Sequence, residues 1–160
     1  MREKQNRTSL HGVLLEAYGK GLLITGVSGI GKTTAALDLI SDDHFWVADD
    51  LALVCRNRNG KLTACGHSKI RNLLHTDKTG IIAVRKLLAA KKVKKSTVLA
   101  AIIEAQRTEN VRSSMVAGKK IILGLEVPII SLKNPSSGYL NKNLLKKAVK
   151  KIIEMDKPRI

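Results

Sequence analysis

The sequence predicts an α/β fold in which a mixed β-sheet is flanked by helices and one strand passes through a glycine-rich loop into one of them. Three observations lead to it. The apolar runs Val13–Tyr18 and Leu22–Thr25 are separated by Gly19-Lys20-Gly21, which is hairpin punctuation. The second run enters Gly26-Val27-Ser28-Gly29-Ile30-Gly31-Lys32-Thr33, after which Ala35, Ala36, Leu37, Leu39 and Ile40 continue as a short amphipathic helix ending near Ser41. From Asn141 onward, Leu144, Leu145, Ala148, Val149, Ile152 and Ile153 repeat on one helical face, with Lys142, Lys146, Lys147, Lys150 and Lys151 on the other.

The intervening elements follow from the same signals. Phe45-Trp46-Val47-Ala48 reads as a buried strand with Asp49 and Asp50 at its end. Leu51–Arg56 and Lys61–Cys65 form a further hairpin about Asn57-Arg58-Asn59-Gly60. Lys69–His75 reads as helical, Gly80–Val84 as extended, and Thr97–Glu104 and Lys120–Leu132 as strands. No internal repeat or linker divides the 160 residues, so residues 1–160 are expected to form one domain, against a usual size of roughly 100–200.

Composition narrows the function classes. With 44% hydrophobic and 26% charged residues, the chain is neither disordered nor of low complexity. Its longest apolar runs, such as Gly21–Thr25 and Ile121–Leu125, are far below the roughly 18 residues a membrane helix needs, and Met1–Arg7 leads into no secretory core. A cytoplasmic protein without a membrane partner is the expectation. Cys55 and Cys65 lie ten apart without a C-x-x-C pair, which fits reduced thiols rather than a zinc site. The net charge of +16 is unevenly spread: residues 1–50 hold five Lys/Arg against seven Asp/Glu, and residues 51–160 carry +18. With only 2% aromatic residues there is no array of stacking rings to make this a single-strand or RNA binder, so nucleic acid is not the expected partner. The cluster Arg85, Lys86, Lys91, Lys92, Lys94 and Lys95 reads as a solvated face, with a docking patch as the alternative.

The chemistry is concentrated at Gly26-x-x-x-x-Gly31-Lys32-Thr33, the phosphate-binding loop pattern in its required context after a strand and before a helix. Glycines let consecutive amides of Gly26, Val27, Ser28, Gly29, Ile30 and Gly31 turn toward phosphate oxygens, and the helix N-terminus adds partial positive charge. Lys32 is placed to reach terminal phosphates, and the Thr33 hydroxyl to ligate magnesium. Asp49 and Asp50 follow Lys32 by seventeen and eighteen residues, where parallel topology would return a carboxylate beside the loop. Such an acid can hold magnesium or accept a hydroxyl proton, and two adjacent ones face opposite ways if the backbone stays extended. His11 alone reads more readily as a hydrogen-bonded structural histidine than as a catalytic one.

Arg7-Thr8-Ser9-Leu10-His11-Gly12-Val13-Leu14-Leu15, Tyr18-Gly19, the loop Leu23–Thr33 and Val47-Ala48-Asp49-Asp50 together resemble the catalytic domain of HPr(Ser) kinase/phosphorylase, closely over roughly the first 55 residues. The resemblance implies a fold similar to phosphoenolpyruvate carboxykinase and phosphorylation of a serine on the phosphocarrier HPr from ATP or pyrophosphate, together with the reverse phosphorolysis. It also implies magnesium and a hexameric homo-oligomer, and it places His11, Lys32, Asp49 and Asp50 around the reacting phosphoryl group. The family's acidic residue after the first loop glycine is Val27 here. Its later L-E-x-R-G-x-G-I-I signature reads Leu74-His75-Thr76-Asp77-Lys78-Thr79-Gly80-Ile81-Ile82. His75 stands where the family has a metal-binding glutamate. Magnesium prefers hard oxygen donors, so Asp77, on the same face of an extended segment, is a candidate carboxylate beside Thr33 and Asp50. Two other readings share the phosphate cradle: a regulatory nucleotide-binding module without turnover, and a small-metabolite kinase.

Overall fold

The computed structural model describes residues 6–40, 44–67, 72–76, 80–84, 88–135 and 138–157. Within them lie eleven strands: β1 (Arg7–His11), β2 (Val13–Ala17), β3 (Lys20–Gly26), β4 (His44–Ala48), β5 (Leu51–Arg56), β6 (Leu62–Gly66), β7 (Leu73–Thr76), β8 (Gly80–Ala83), β9 (Ser96–Thr108), β10 (Ser114–Ile122) and β11 (Leu125–Pro135). Helix α1 spans Lys32–Leu39 and α2 spans Lys142–Met155. Nine strands form one mixed sheet in the order β1-β5-β6-β9-β3-β2-β4, with β11 added on β9 and β10 on β11, while β7 and β8 pair separately.

The long strand β9 organises the sheet. Its first residues pair antiparallel with β6, and its remainder pairs parallel with β3 and with β11. Strands β2 and β3 and the middle of β9 around Ala101–Ile103 are buried on both faces, which is why their apolar runs are continuous rather than alternating. Val13, Leu15, Ile24 and Ile103 join a core completed by Ala36 and Leu39 of α1 and Leu145, Ala148, Val149 and Ile152 of α2. Leu14, Leu23 and Ile102 point the other way, into a second core with Ala52, Val54, Leu62 and Ala64. The β5–β6 turn is held by the Asn57 Oδ1, which accepts from the amides of Asn59 at 3.0 Å and Lys61 at 2.9 Å.

Three expectations are corrected. Leu73–Thr76, at the end of the segment read as a helix, is strand β7, paired with β8, where its backbone finds a partner strand; residues 68–71 lie outside the described residues. Lys120–Leu132 is not one strand: the chain reverses at Leu123 and Gly124, with φ of 50° and 81°, so β10 and β11 form a hairpin. Lys94 is not part of a freely solvated face, because its Nζ donates to Glu16 Oε1 at 2.5 Å and lies 4.4 Å from the Phe45 ring centroid. Arg85 and Lys86 of the same cluster lie outside the described residues. Among the described residues no helix is long and apolar enough to cross a membrane.

Candidate active site

The site is built where β1, β3 and β4 end on one edge of the sheet. Strand β4 runs in the same direction as β3, but the two are not neighbours: antiparallel β2 lies between them. The parallel partner of β3 is β9. The carboxylates still return beside the loop, because two antiparallel steps restore the strand direction.

Local sequence fixes the loop. A side chain at Gly26 would place a Cβ 2.3 Å from the Ala105 carbonyl oxygen of β9, so the strand can leave the sheet here only as glycine. Gly12 meets the same condition against Ile24, where a Cβ would lie 2.5 Å from the carbonyl oxygen. Its amide donates to the Asp50 carbonyl at 3.1 Å, which ties the end of β1 to the end of β4. Gly31 is the N-cap of α1 and supplies no side-chain cap, and the helix has no acidic residue in its first turn. Its leading amides therefore have no capping side chain, and they carry the positive end of the helix dipole.

The side chains converge on a cavity of about 390 Å³ lined by His11, Gly26, Ser28, Gly29, Lys32, Thr33, Asp49 and Asp50, among others. Lys32 Nζ donates to the carbonyls of Gly26 at 2.9 Å and Val27 at 3.0 Å, folding the ammonium back over its own loop. Burial pulls the Lys32 pKa below its ordinary value, against the opposing pull of Asp49 and Asp50. An incoming polyanion would replace hydration that Lys32 has lost. Thr33 Oγ1 donates to Asp49 Oδ1 at 3.1 Å, and Asp49 is buried while Asp50 is exposed.

The two acids therefore differ in environment, though not by facing opposite ways on an extended strand. Asp50 has φ of 71°, the chain turns there, and both side chains line the same cavity. His11 ends β1, exposed, in register with Leu51 and on the rim of the cavity. Val27 and Ile30 belong to the loop backbone; the Ile30 side chain is buried in the helix-side core. His75 lies on β7 in register with Ile81, and Asp77 lies outside the described residues. Among the described residues no cluster of three or more His, Cys, Asp and Glu could by itself hold a metal ion. The Thr33 hydroxyl and the Asp49 carboxylate are nonetheless hard oxygen donors at 3.1 Å, suited to magnesium that takes its other ligands from water and phosphate.

A family model described as the HPr Serine kinase C-terminal domain matches residues 3–154. The chain belongs to this family. The match extends through the segments beyond residue 55 that keep little of the motif. The chain is 34% identical over 126 residues to an HPr kinase/phosphorylase of Chloroherpeton thalassium, covering 76% of this chain and 37% of that protein. It is 43% identical over 100 residues to one of Pediococcus pentosaceus, covering 62% and 32%. These matches span well under half the length of the two relatives. The structure is similar to that of the HPr(Ser) kinase/phosphatase from Coxiella burnetii, with a TM-score of 0.78, 25% identity, and coverage of 94% of this chain and 99% of that one.

Sequence reasoning had no motif for the segment Gly138–Leu140. There the Leu140 amide donates to the Ile30 carbonyl of the loop at 2.8 Å, which fixes the segment against the loop. A backbone-to-backbone contact between segments distant in sequence leaves no trace in residue type.

Proposed function

We propose that this chain is a single HPr kinase/phosphorylase-like catalytic domain. It transfers a phosphoryl group from ATP or pyrophosphate to a serine of the phosphocarrier HPr and runs the reverse phosphorolysis. The observation that carries the reading is the 3.1 Å contact from the Thr33 hydroxyl to Asp49, in one cavity with Lys32, Asp50 and His11. A phosphate loop, a buried carboxylate and an exposed one are the parts a phosphoryl transfer between oxygens requires.

Phosphoryl transfer asks the protein mainly to position and to stabilise charge. The amides of Gly26–Gly31 and the start of α1 hold the donor phosphates, and Lys32 swings from its carbonyls onto their terminal oxygens. Thr33 and Asp49 are the residues that would hold magnesium, which when bound neutralises charge on the phosphates. Asp50, exposed at the mouth, is placed to accept the serine proton as the hydroxyl attacks and to return it in the reverse direction. His11, across the rim, is placed to orient the reacting groups.

Incubation of the full chain with HPr, magnesium and ATP or pyrophosphate is expected to give phosphoserine on HPr, and inorganic phosphate to remove it. Loss of product with Asp50→Asn while nucleotide binding persists is the expected companion result. No phosphoserine with either donor would refute the assignment.

A further inference from the structure

We propose that Tyr139 is the stacking platform for the base of a nucleoside triphosphate whose phosphates occupy the loop, so that a triphosphate carrying a base binds more tightly than the same triphosphate chain without one. This rests on the phosphate-loop reading above. Segment Gly138–Leu140 runs beside the loop: a Cβ at Gly31 would lie 3.4 Å from the Leu140 carbonyl oxygen and 3.9 Å from the Tyr139 Cβ. Tyr139 therefore stands next to the residue that precedes Lys32.

Tyr139 is 68% exposed, whereas Trp46 is buried and Phe45 lies under Lys94; Tyr18, at 61%, is exposed too but packs edge-on against His44. Arg107, at the end of β9, holds Tyr139 from one side. Its guanidinium carbon is 5.9 Å from the ring centroid, and its Nη1 donates to the Gly138 carbonyl at 3.0 Å. A Tyr–Arg pair of this kind presents a fixed π-face that any base can stack on.

Phosphates alone cannot use such a ring, so comparing ligands with and without a base isolates its contribution. Calorimetric titration of the full chain with magnesium ATP and magnesium tripolyphosphate should show ATP bound about tenfold tighter or more, the usual worth of one stacked base. Tyr139→Ala, a change at an exposed ring, should erase that difference while leaving tripolyphosphate affinity as it was, and Tyr139→Phe should preserve it. Equal affinity for the two ligands in the unaltered chain, or an equal loss of both in Tyr139→Ala, overturns the platform alone. Absence of binding by either ligand removes the phosphate-loop reading and the platform together.

Discussion

Two ends of the same three strands handle a partly buried charge in opposite ways. At the end where β3 and β4 enter their loops, Lys32 is partly drawn out of water and its ammonium donates to carbonyls of its own loop, with Asp49 and Asp50 nearby. At the other end Glu16, on β2 opposite Gly21 and Phe45, accepts from Lys94 at 2.5 Å and from Thr97 at 2.6 Å. Burial pushes the Glu16 carboxyl up, but the hydrogen bonds from Lys94 and Thr97 and the Lys94 charge outweigh it, so its pKa sits below the ordinary value. The first end holds a demand that a ligand can meet; the second has met its own. Removing charge should therefore cost affinity at one end and stability at the other.

The largest effect is expected at the first. Lys32→Ala removes the cation that meets terminal phosphates, and loss of charge-assisted hydrogen bonds on this scale, about 3 kcal/mol, is about a hundredfold in affinity. Its stability in urea should stay within about 1 kcal/mol of the parent, because the Gly26 and Val27 carbonyls it leaves are reached by water. Calorimetry with ATP or pyrophosphate beside a denaturation curve reads both quantities. A large stability loss with affinity retained would invert the comparison.

Next is Glu16→Gln, expected to cost about 1–2 kcal/mol of stability with phosphate affinity unchanged. The sign of its pH dependence follows from the lowered pKa. The carboxylate contributes stability that is fully present above the unfolded-state value, ordinarily 4.5, and is lost as pH falls through the lower folded-state value. Parent and variant should therefore differ at neutral pH and converge in strong acid. Urea midpoints measured from pH 7 down to pH 3 test this, and a gap that widens on acidification would refute it.

How far the sequence foretold these two ends depends on range. The β2–β3 hairpin, the loop and the C-terminal helix rest on signals within a few residues: Gly19, the spacing of Gly26 from Gly31, the 3.6-residue recurrence after Asn141. The Glu16–Lys94–Thr97 cluster joins residues about eighty positions apart and has no local mark. The expected strand Lys120–Leu132 takes in only the last three residues of β10, because the residues from Val116 to Ile121 are all exposed and no alternation marks where the strand begins. At the site, the pairing of carboxylates with the loop was legible, but not which acid Thr33 would meet. That is decided by the turn at Asp50, whose φ of 71° no residue type announced. Arg107 and Tyr139 lie on segments that carry no motif.

Not every group at the ligand end should trade stability for binding, and Asn141 sharpens the comparison there. It follows the segment against the loop, and its side chain accepts from the Leu144 amide at 2.9 Å as the cap of α2. Asn141→Ala should cost about 1 kcal/mol of stability, the usual worth of such a cap, with nucleotide affinity unchanged. Thermal melts with and without ATP measure it; a drop in affinity would mean that the cap also sets the position of Leu140 on the loop.

The smallest effect is expected at the stability end itself. Lys20, at the start of β3, pairs with Asp156 just beyond α2, so the end that depends on Glu16 contains a second ion pair. The Asp156 side chain is 68% exposed, and pairs of this kind contribute only about 0.2–1 kcal/mol. Asp156 also sits at the C-cap of α2, where the negative end of the helix dipole opposes a carboxylate and subtracts from that gain. Asp156→Asn should therefore shift the urea midpoint barely at all, and what shift there is should vanish in about 1 M salt, where screening is nearly complete. Glu16→Gln under the same salt should keep most of its cost, because the Glu16 side chain is only 12% exposed and its second oxygen is held by the buried Thr97 hydroxyl. If both variants lost their effect in salt alike, the Glu16 cluster would be an ordinary surface pair, and the contrast between the two ends would reduce to the chemistry of Lys32.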